Sequence, residues 1–272
     1  MILYKYMSFS SAASAIQNDS IGFSCLEDLN DPFECAALCF ESGNGLLTSS
    51  LQQGAYRNRL SQKYGVLSLT RTPLNALLWA HYGDDHRGVV IGIDIEKAGL
   101  NNVNECVIPA KFGEIIYTST IPRNELPAST TEALLAVGDQ ATSFHVDNYD
   151  LYKNAFLYKD LSWGYEEEVR VVKNVIDPNS GSRYTSYAFE NPAGKWNQIQ
   201  IQGRPLCCLS IPSDAIVEAY LGCSAYANVS RLGFVESDYL AILNQWKDRC
   251  IKVKVVRRKS DSWQLEMSDF QV

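Results

Sequence analysis

The densest run of side chains able to do chemistry is Trp163-Gly164-Tyr165-Glu166-Glu167-Glu168-Val169-Arg170-Val171-Val172, where charge stands among residues that otherwise favour a buried strand. Side chains of a strand alternate, so Tyr165, Val169 and Val171 share one face while Glu166, Glu168 and Arg170 share the other. Two carboxylates about 7 Å apart, at about 3.3 Å per residue, raise the pKa of at least one of the pair unless a cation intervenes. Arg170 stands one step further along the same face. Such a trio lines a cleft as a carboxylate pair, or it makes a solvated, salt-bridged sheet face of small energetic worth. The decapeptide alone is compatible with both.

Three other clusters compete for attention. Glu27 to Glu34 packs four acids and Asn30-Asp31-Pro32 into eight residues, a composition that makes a tight turn and leaves a ligand-facing loop open. Cys35 and Cys39 are spaced like metal ligands, yet no second CxxC or HxxxH pair completes a zinc site, so no metal is expected. His81 follows Leu74, Leu77 and Leu78 at helical spacing and reads as the end of an apolar stripe, with His86 too far on for a zincin pair.

The elements that position these residues follow from periodicity and punctuation. Strands are expected at Ile2 to Tyr6, Ile21 to Ser24, Gly65 to Thr70, Gly88 to Ile95, Cys106 to Ile108 and Phe112 to Tyr117. Further strands follow at Gln198 to Gln202, Cys207 to Ile211, Ile216 to Leu221, Ile251 to Arg257 and Trp263 to Met267. Helices are expected at Ser10 to Asn18, Leu51 to Tyr64 with Arg57, Arg59 and Lys63 exposed, and from Thr72-Pro73 with Thr72 as N-cap. Two more are expected around Asp147 to Lys159, where Tyr149, Tyr152 and Phe156 read as core, and at Asp238 to Asp248 capped by Ser237. Ser129-Thr130-Thr131-Glu132 offers capping residues for another helix. Glu41 to Ser50 reads as a flexible Gly/Ser stretch and Asp177 to Gly194 as a surface excursion. Helices fall between some strands and not others, so the class is α+β: one domain over residues 1–272, with mixed, mainly antiparallel sheets flanked by helices.

Composition narrows the function classes. Hydrophobic residues at 46% and charged residues at 20% suit a globular chain able to bury a core. A net charge of −7 argues against broad attraction to nucleic acid. The local cluster Lys252, Lys254, Arg257, Arg258 and Lys259 leaves nucleic acid among the candidate partners, with a solvated strand edge as its plainer account. The N-terminal stretch lacks the apolar core of a secretory signal and no run is long enough to span a membrane, so a cytoplasmic protein without membrane partners is expected. Eight scattered cysteines, most of them in apolar runs, then read by default as buried reduced thiols. Phosphate-loop, GxGxxG, GxSxG and HExxH motifs do not occur.

One resemblance spans residue 3 to about 222. Tyr4-Lys5-Tyr6, Asn30-Asp31-Pro32-Phe33-Glu34, Val66-Leu67-Ser68-Leu69, Trp79-Ala80-His81-Tyr82, His86-Arg87-Gly88, Ile91-Gly92-Ile93-Asp94, Lys159 with Trp163, Tyr165, Glu166, Glu168 and Arg170, and Tyr220-Leu221-Gly222 look like the successive blocks of a bacterial family. It is catalogued as domain of unknown function twenty-nine seventy-one. The order of the blocks is in turn distantly similar to ADP-ribosyltransferases. Those enzymes carry a polar residue on a first strand, a Ser/Thr or Tyr block on a second, and a glutamate, often within Glu-x-Glu, on a later one.

That resemblance implies NAD as substrate, an unknown macromolecular acceptor, and a toxin or phage-defence setting. It implies Glu168, Glu166 and Tyr82 as catalytic residues, and Tyr4, Lys5, Ser68, Thr70, His81 and Arg170 as contacts to NAD. Two other readings stand beside it: a non-catalytic sensing or interaction module with a polar pocket, and a metal-dependent nuclease using Glu166, Glu168 and the acidic turn.

Overall fold

A computed structural model of the chain describes residues 1–38, 46–122, 141–180, 187–201, 203–226, 229 and 235–270. The expected cap at Ser129 to Glu132 lies outside them, as do Cys39, residues 41–45 of the Gly/Ser stretch and residues 181–186 of the surface excursion.

The chain opens with β1 (Ile2–Met7), α1 (Phe9–Gln17) and β2 (Ser20–Cys25). Ser8 caps α1 by accepting from the Ser11 amide, and Phe9, Ala12 and Ile16 turn inward at helical spacing, which leaves serines on the outer face. A helix from Leu46 to Lys63, α2, begins earlier than its periodicity suggests, and Arg57, Arg59 and Lys63 are half-buried, not exposed. β3 (Tyr64–Thr70) follows. Thr72 does not cap the next helix: its hydroxyl accepts from Leu74 N in a local turn, and α3 (Ala76–His81) starts on Asn75, whose side chain accepts from Leu77 N and Leu78 N. The later start rotates the stripe, so Leu78 and Trp79 are buried while Leu77 and His81 face outward.

β4 (Val89–Asp94) is central, as its apolar run predicts, and is followed by β5 (Ile116–Thr118), a helix Val146–Phe156 and β6 (Tyr158–Asp160). Cys106 to Ile108 and Phe112 to Tyr117 are mostly not strands. Ile108 makes one bridge to Val172, and Ala110–Phe112 winds into a 3-10 turn. Tyr152 and Phe156 are core, as expected, with Tyr149 packed against them. β7 (Glu168–Asn174), β8 (Ala188–Asn191), β9 (Gly194–Ile201), β10 (Arg204–Ser210) and β11 (Ile216–Leu221) come next. A helix Glu236–Asp248, without a side-chain cap from Ser237, leads into β12 (Lys252–Arg258) and β13 (Leu265–Asp269). β12 is not an edge, because β13 covers it.

The resulting sheet is mixed and mainly antiparallel, in the order β13-β12-β11-β4-β1-β3-β2-β10-β9-β8, with β7 added to β3; only β11–β12 in it is parallel. Helices flank it, and the class is α+β. No helix among the described residues is long and apolar enough to cross a membrane.

β3 is where the sheet forks. β7 pairs along its whole length from Tyr64 to Thr70, so β1 and β2 must divide the remaining edge: β1 meets Thr70 and β2 meets Gly65 and Val66. Alternation assigns Leu67, Leu69, Val169 and Val171 to the largest apolar cluster, which also holds Phe9, Phe23 and Trp246. The opposite face carries Val66 and Val172 in a second cluster and Tyr6 with Trp79 in a third. Ser68, Thr70, Glu168 and Arg170 occupy the strip between them.

Gly113 sets how closely the neighbouring loop approaches this strip. Its carbonyl accepts from Arg170 N at 2.7 Å, and a Cβ there would lie 1.7 Å from the Arg170 carbonyl oxygen. Gly113→Ala is therefore expected to displace backbone and to cost at least about 3 kcal/mol, the upper end for overpacking. Chemical denaturation against the wild type measures it, and Gly54→Ala, with open space around its Cβ, serves as the control.

Candidate functional site

Between the second and third apolar clusters lies a pocket of about 240 Å³. It is lined by Tyr4, Lys5, Ser68, Thr70, Tyr82, Glu166, Glu168 and Arg170, all singled out from sequence, and by Asn30, Glu34 and Lys159. Strand pairing places the first of these. Tyr4 lies opposite Thr70, and Thr70 opposite Glu168, so the three share one line across β1, β3 and β7. The line continues the other way through Gly92 to Glu218. A Cβ at Gly92 would sit 3.0 Å from Glu218 Cβ and 3.2 Å from the Tyr4 ring, so glycine leaves Tyr4 room to lean across and donate its hydroxyl to Glu218 Oε2 at 3.3 Å.

The Trp163 to Val172 segment reaches the pocket differently from a continuous strand. Leu161–Glu166 is a 3-10 turn, Glu167 takes left-handed backbone at φ 46°, and only then does β7 begin. The reversal still brings Glu166 and Glu168 together. Thr70 fixes the turn by donating its hydroxyl to the Glu166 carbonyl at 2.6 Å, and Asn75 Nδ2 donates to the Tyr165 carbonyl at 2.6 Å.

A cation does intervene between the two carboxylates. Lys159 Nζ donates to Glu166 Oε2 at 2.5 Å and to Glu168 Oε2 at 3.2 Å. Arg170 Nε donates to Glu168 Oε1 at 2.8 Å, and its two terminal nitrogens take Glu34 as a fork at 2.8 and 2.5 Å. The Phe156 carbonyl accepts from the same guanidinium at 2.6 Å. Tyr82 donates its hydroxyl to Glu166 Oε1 and accepts from Asn30 Nδ2, both at 2.8 Å. The network thus runs Glu34, Arg170, Glu168, Lys159, Glu166, Tyr82, Asn30, and only its Asn30 end is exposed.

Burial would push the Glu168 carboxyl up, but the charges of Arg170 and Lys159, with hydrogen bonds from Arg170 and Ser68, outweigh it and hold it at about 2. Burial opposes the charged form of Lys159 too, and Glu168 and Glu166 overcome it and raise its pKa. The Tyr82 hydroxyl is pushed up by burial and by the Glu166 charge. Lys5 behaves differently. Its Nζ donates to the Ser68 carbonyl at 3.3 Å and has no carboxylate at ion-pair distance among the described residues. Burial lowers its pKa to about 8, a shift that the more distant Glu168 only partly offsets.

His81 is not part of this arrangement. It is exposed on α3, near the Tyr82 and Tyr165 rings, because the helix starts at Ala76 and turns it away from the pocket. Lys159, Asn30, Glu34 and Glu218 join this arrangement without belonging to the catalytic and NAD-contact residues that the resemblance implies. Lys159 stands in the same block as Glu166, seven residues earlier, and Glu34 ends the acidic turn whose charge a turn alone did not explain. Glu218 carried no local signal. With Glu166 and Glu168 facing Lys159 and Arg170, no group of His, Cys, Asp and Glu among the described residues has the arrangement to hold a metal ion.

Residues 78–171 match the model of a family described as a protein of unknown function (DUF2971). No curated protein and no solved structure matches the chain. The matched segment runs from α3 into β7 and carries Tyr82, Lys159, Glu166, Glu168 and Arg170, whereas Tyr4, Lys5, Asn30, Glu34, Ser68 and Thr70 precede it.

Two measurements check the network. Arg170→Met leaves Glu34 and Glu168 buried without their shared cation, and a loss of about 3–5 kcal/mol in unfolding free energy is expected. Glu168 at about 2 in the fold, against about 4.3 in an unfolded chain, contributes stability that is present above the unfolded value and lost as pH falls towards 2. Glu168→Gln should flatten the acid limb of a stability profile between pH 5 and pH 2 by up to one proton's slope, and an unchanged limb would contradict the pairing.

Proposed function

We propose that the pocket binds NAD and cleaves its nicotinamide–ribose bond, transferring ADP-ribose to a macromolecular acceptor. The observation that carries this reading is the line Tyr4–Thr70–Glu168 across three adjacent strands, with Tyr82 and Glu166 beside it. A polar first-strand residue, a hydroxyl block on a second strand and a Glu-x-Glu glutamate on a third thereby meet at one pocket.

The chemistry asks little of a base and much of a fixed charge. As the C1′–N bond breaks, its electron pair leaves with nicotinamide and positive charge develops on the ribose. An acceptor N–H or O–H then bonds to C1′ and releases its proton. A carboxylate held ionised by Arg170 and Lys159 is a poor proton acceptor, yet it keeps its negative charge at any physiological pH. Facing the developing cation in a site shielded from water, Glu168 stabilises the transition state more than the ground state. Arg170 and Lys159 position it, and Tyr82 with Thr70 holds Glu166 alongside.

One observation favours a second reading. Glu34, Glu166 and Glu168 each already have a cationic partner, and such a closed network also suits a non-catalytic pocket that senses a polar ligand.

Incubation of the purified protein with NAD, followed by chromatography of released nicotinamide, separates them. The transferase reading expects release that Glu168→Gln lowers by about 10²–10³-fold, the usual effect of removing one transition-state charge contact, and that Tyr82→Phe lowers less. A thermal shift with NAD but no release supports the sensing module. Neither release nor shift would sink the transferase reading.

A further inference from the structure

The first pocket is smaller than the roughly 300–1,000 Å³ that drug-sized ligands occupy, and a second cavity of about 410 Å³ shares two of its lining residues, Lys5 and Ser24. We infer that this second cavity is a binding site for the phosphate-bearing end of a nucleotide, with Lys5 at the junction holding the phosphate. The identification of the full ligand as a dinucleotide rests on the reading above; the phosphate site does not.

The fork of the sheet creates the junction. Where β1 and β2 part to share the edge of β3, the Ser68 carbonyl has no strand neighbour on that side, and Lys5 reaches across to it. Beyond Lys5 the floor is β2, whose outward residues Ser20, Gly22 and Ser24 are small because Gly22 lies under Leu206: a Cβ there would come within 2.7 Å of a Leu206 methyl. The far wall is Leu206 with Ile199 and Ile201, the isoleucines 38% and 46% exposed.

The chemistry of this lining is specific. Among the described residues no carboxylate lines the cavity, although the chain has 31 Asp and Glu against 24 Lys and Arg. The one charged group among the described lining residues is Lys5, whose ammonium is bonded there only to a backbone carbonyl. The Ser20 and Ser24 hydroxyls make no hydrogen bond among the described residues, so they are free to donate. A cation and two unengaged hydroxyls beside an apolar wall suit a phosphate and ribose with a flat base laid on Ile199, Ile201 and Leu206. Lys159 and Arg170 cannot take this role, because Glu34, Glu166 and Glu168 already neutralise them.

ADP, which lacks nicotinamide and its ribose, is the probe. Isothermal titration of the full chain should show saturable ADP binding that weakens at least tenfold in Lys5→Met and stays within about threefold of wild type in Lys5→Arg. Ile199→Asp, at an exposed wall position, should weaken it independently and guards against a misfolded Lys5→Met protein. Absent ADP binding, or an affinity indifferent to Lys5→Met and Ile199→Asp, overturns the inference even if NAD is cleaved. Lys5-dependent ADP binding in a protein that never releases nicotinamide upholds this site while the transferase reading fails.

Discussion

A guanidinium buried to 1% exposure is the constraint around which this molecule is arranged. Removing Arg170 from water is costly, and the cost is offset only if every donor finds a partner in good geometry. Glu34 comes from the acidic turn, the Phe156 carbonyl from the end of the Val146–Phe156 helix, and Glu168 from the same strand. The acidic turn, 136 residues away in the chain, must therefore be in place together with the helix end and the strand. Lys159 repeats the logic one step on, since it is buried, is paired with both Glu166 and Glu168, and lies under the Trp163 ring at 4.6 Å.

Apolar packing decides where such a polar strip can exist. Each strand around β3 turns one row of side chains into the large cluster of Phe9, Phe23 and Trp246 and leaves the other row to choose its company. Toward Val66 and Val172 that row joins Tyr152 and Phe156; toward Tyr6 it joins Trp79 and Tyr220. The two clusters do not merge, because the sheet forks at β3 and β1 leaves it after one pairing. The polar residues fill the seam, and its depth makes their pairing obligatory.

Most strands of the central sheet were legible because apolar, β-branched runs such as Val89 to Ile95 are unambiguous, whereas β8 lies inside the Asp177 to Gly194 stretch that reads as a surface excursion. The site was partly legible for a related reason: a Glu-x-Glu-x-Arg pattern in an apolar setting signals paired charges, whatever the local backbone does. What sequence could not carry was partner choice. Nothing near Glu34 announces Arg170, 136 residues on, and nothing near Glu218 announces Tyr4. Helix starts failed for a local reason, since Thr72 and Asn75 compete as caps and the side chain that reaches two amides at once prevails. That shift of three residues turned His81 from a stripe residue into an exposed one.

The charge balance of the pocket narrows what it can hold. Asp28 at the pocket wall is paired with Arg204 at 3.4 Å, and Glu34, Glu166 and Glu168 against Arg170 and Lys159 leave one negative charge, which a protonated Lys5 cancels. An anionic group that engages Lys5 uses up this cancelling charge, and the carboxylate network then presents a net negative field to the rest of the ligand. A ligand with only an anionic group engages Lys5 but leaves that field unanswered, and a purely cationic one would leave Lys5 without a partner in a place where burial already opposes its charge. The ligand that satisfies both ends has an anionic part and, a short distance away, a part that is or becomes cationic. NAD, with a pyrophosphate at one end of its nicotinamide riboside and a positive ring at the other, has that polarity, and loss of the ring transfers the positive charge to the ribose carbon that Glu168 would face.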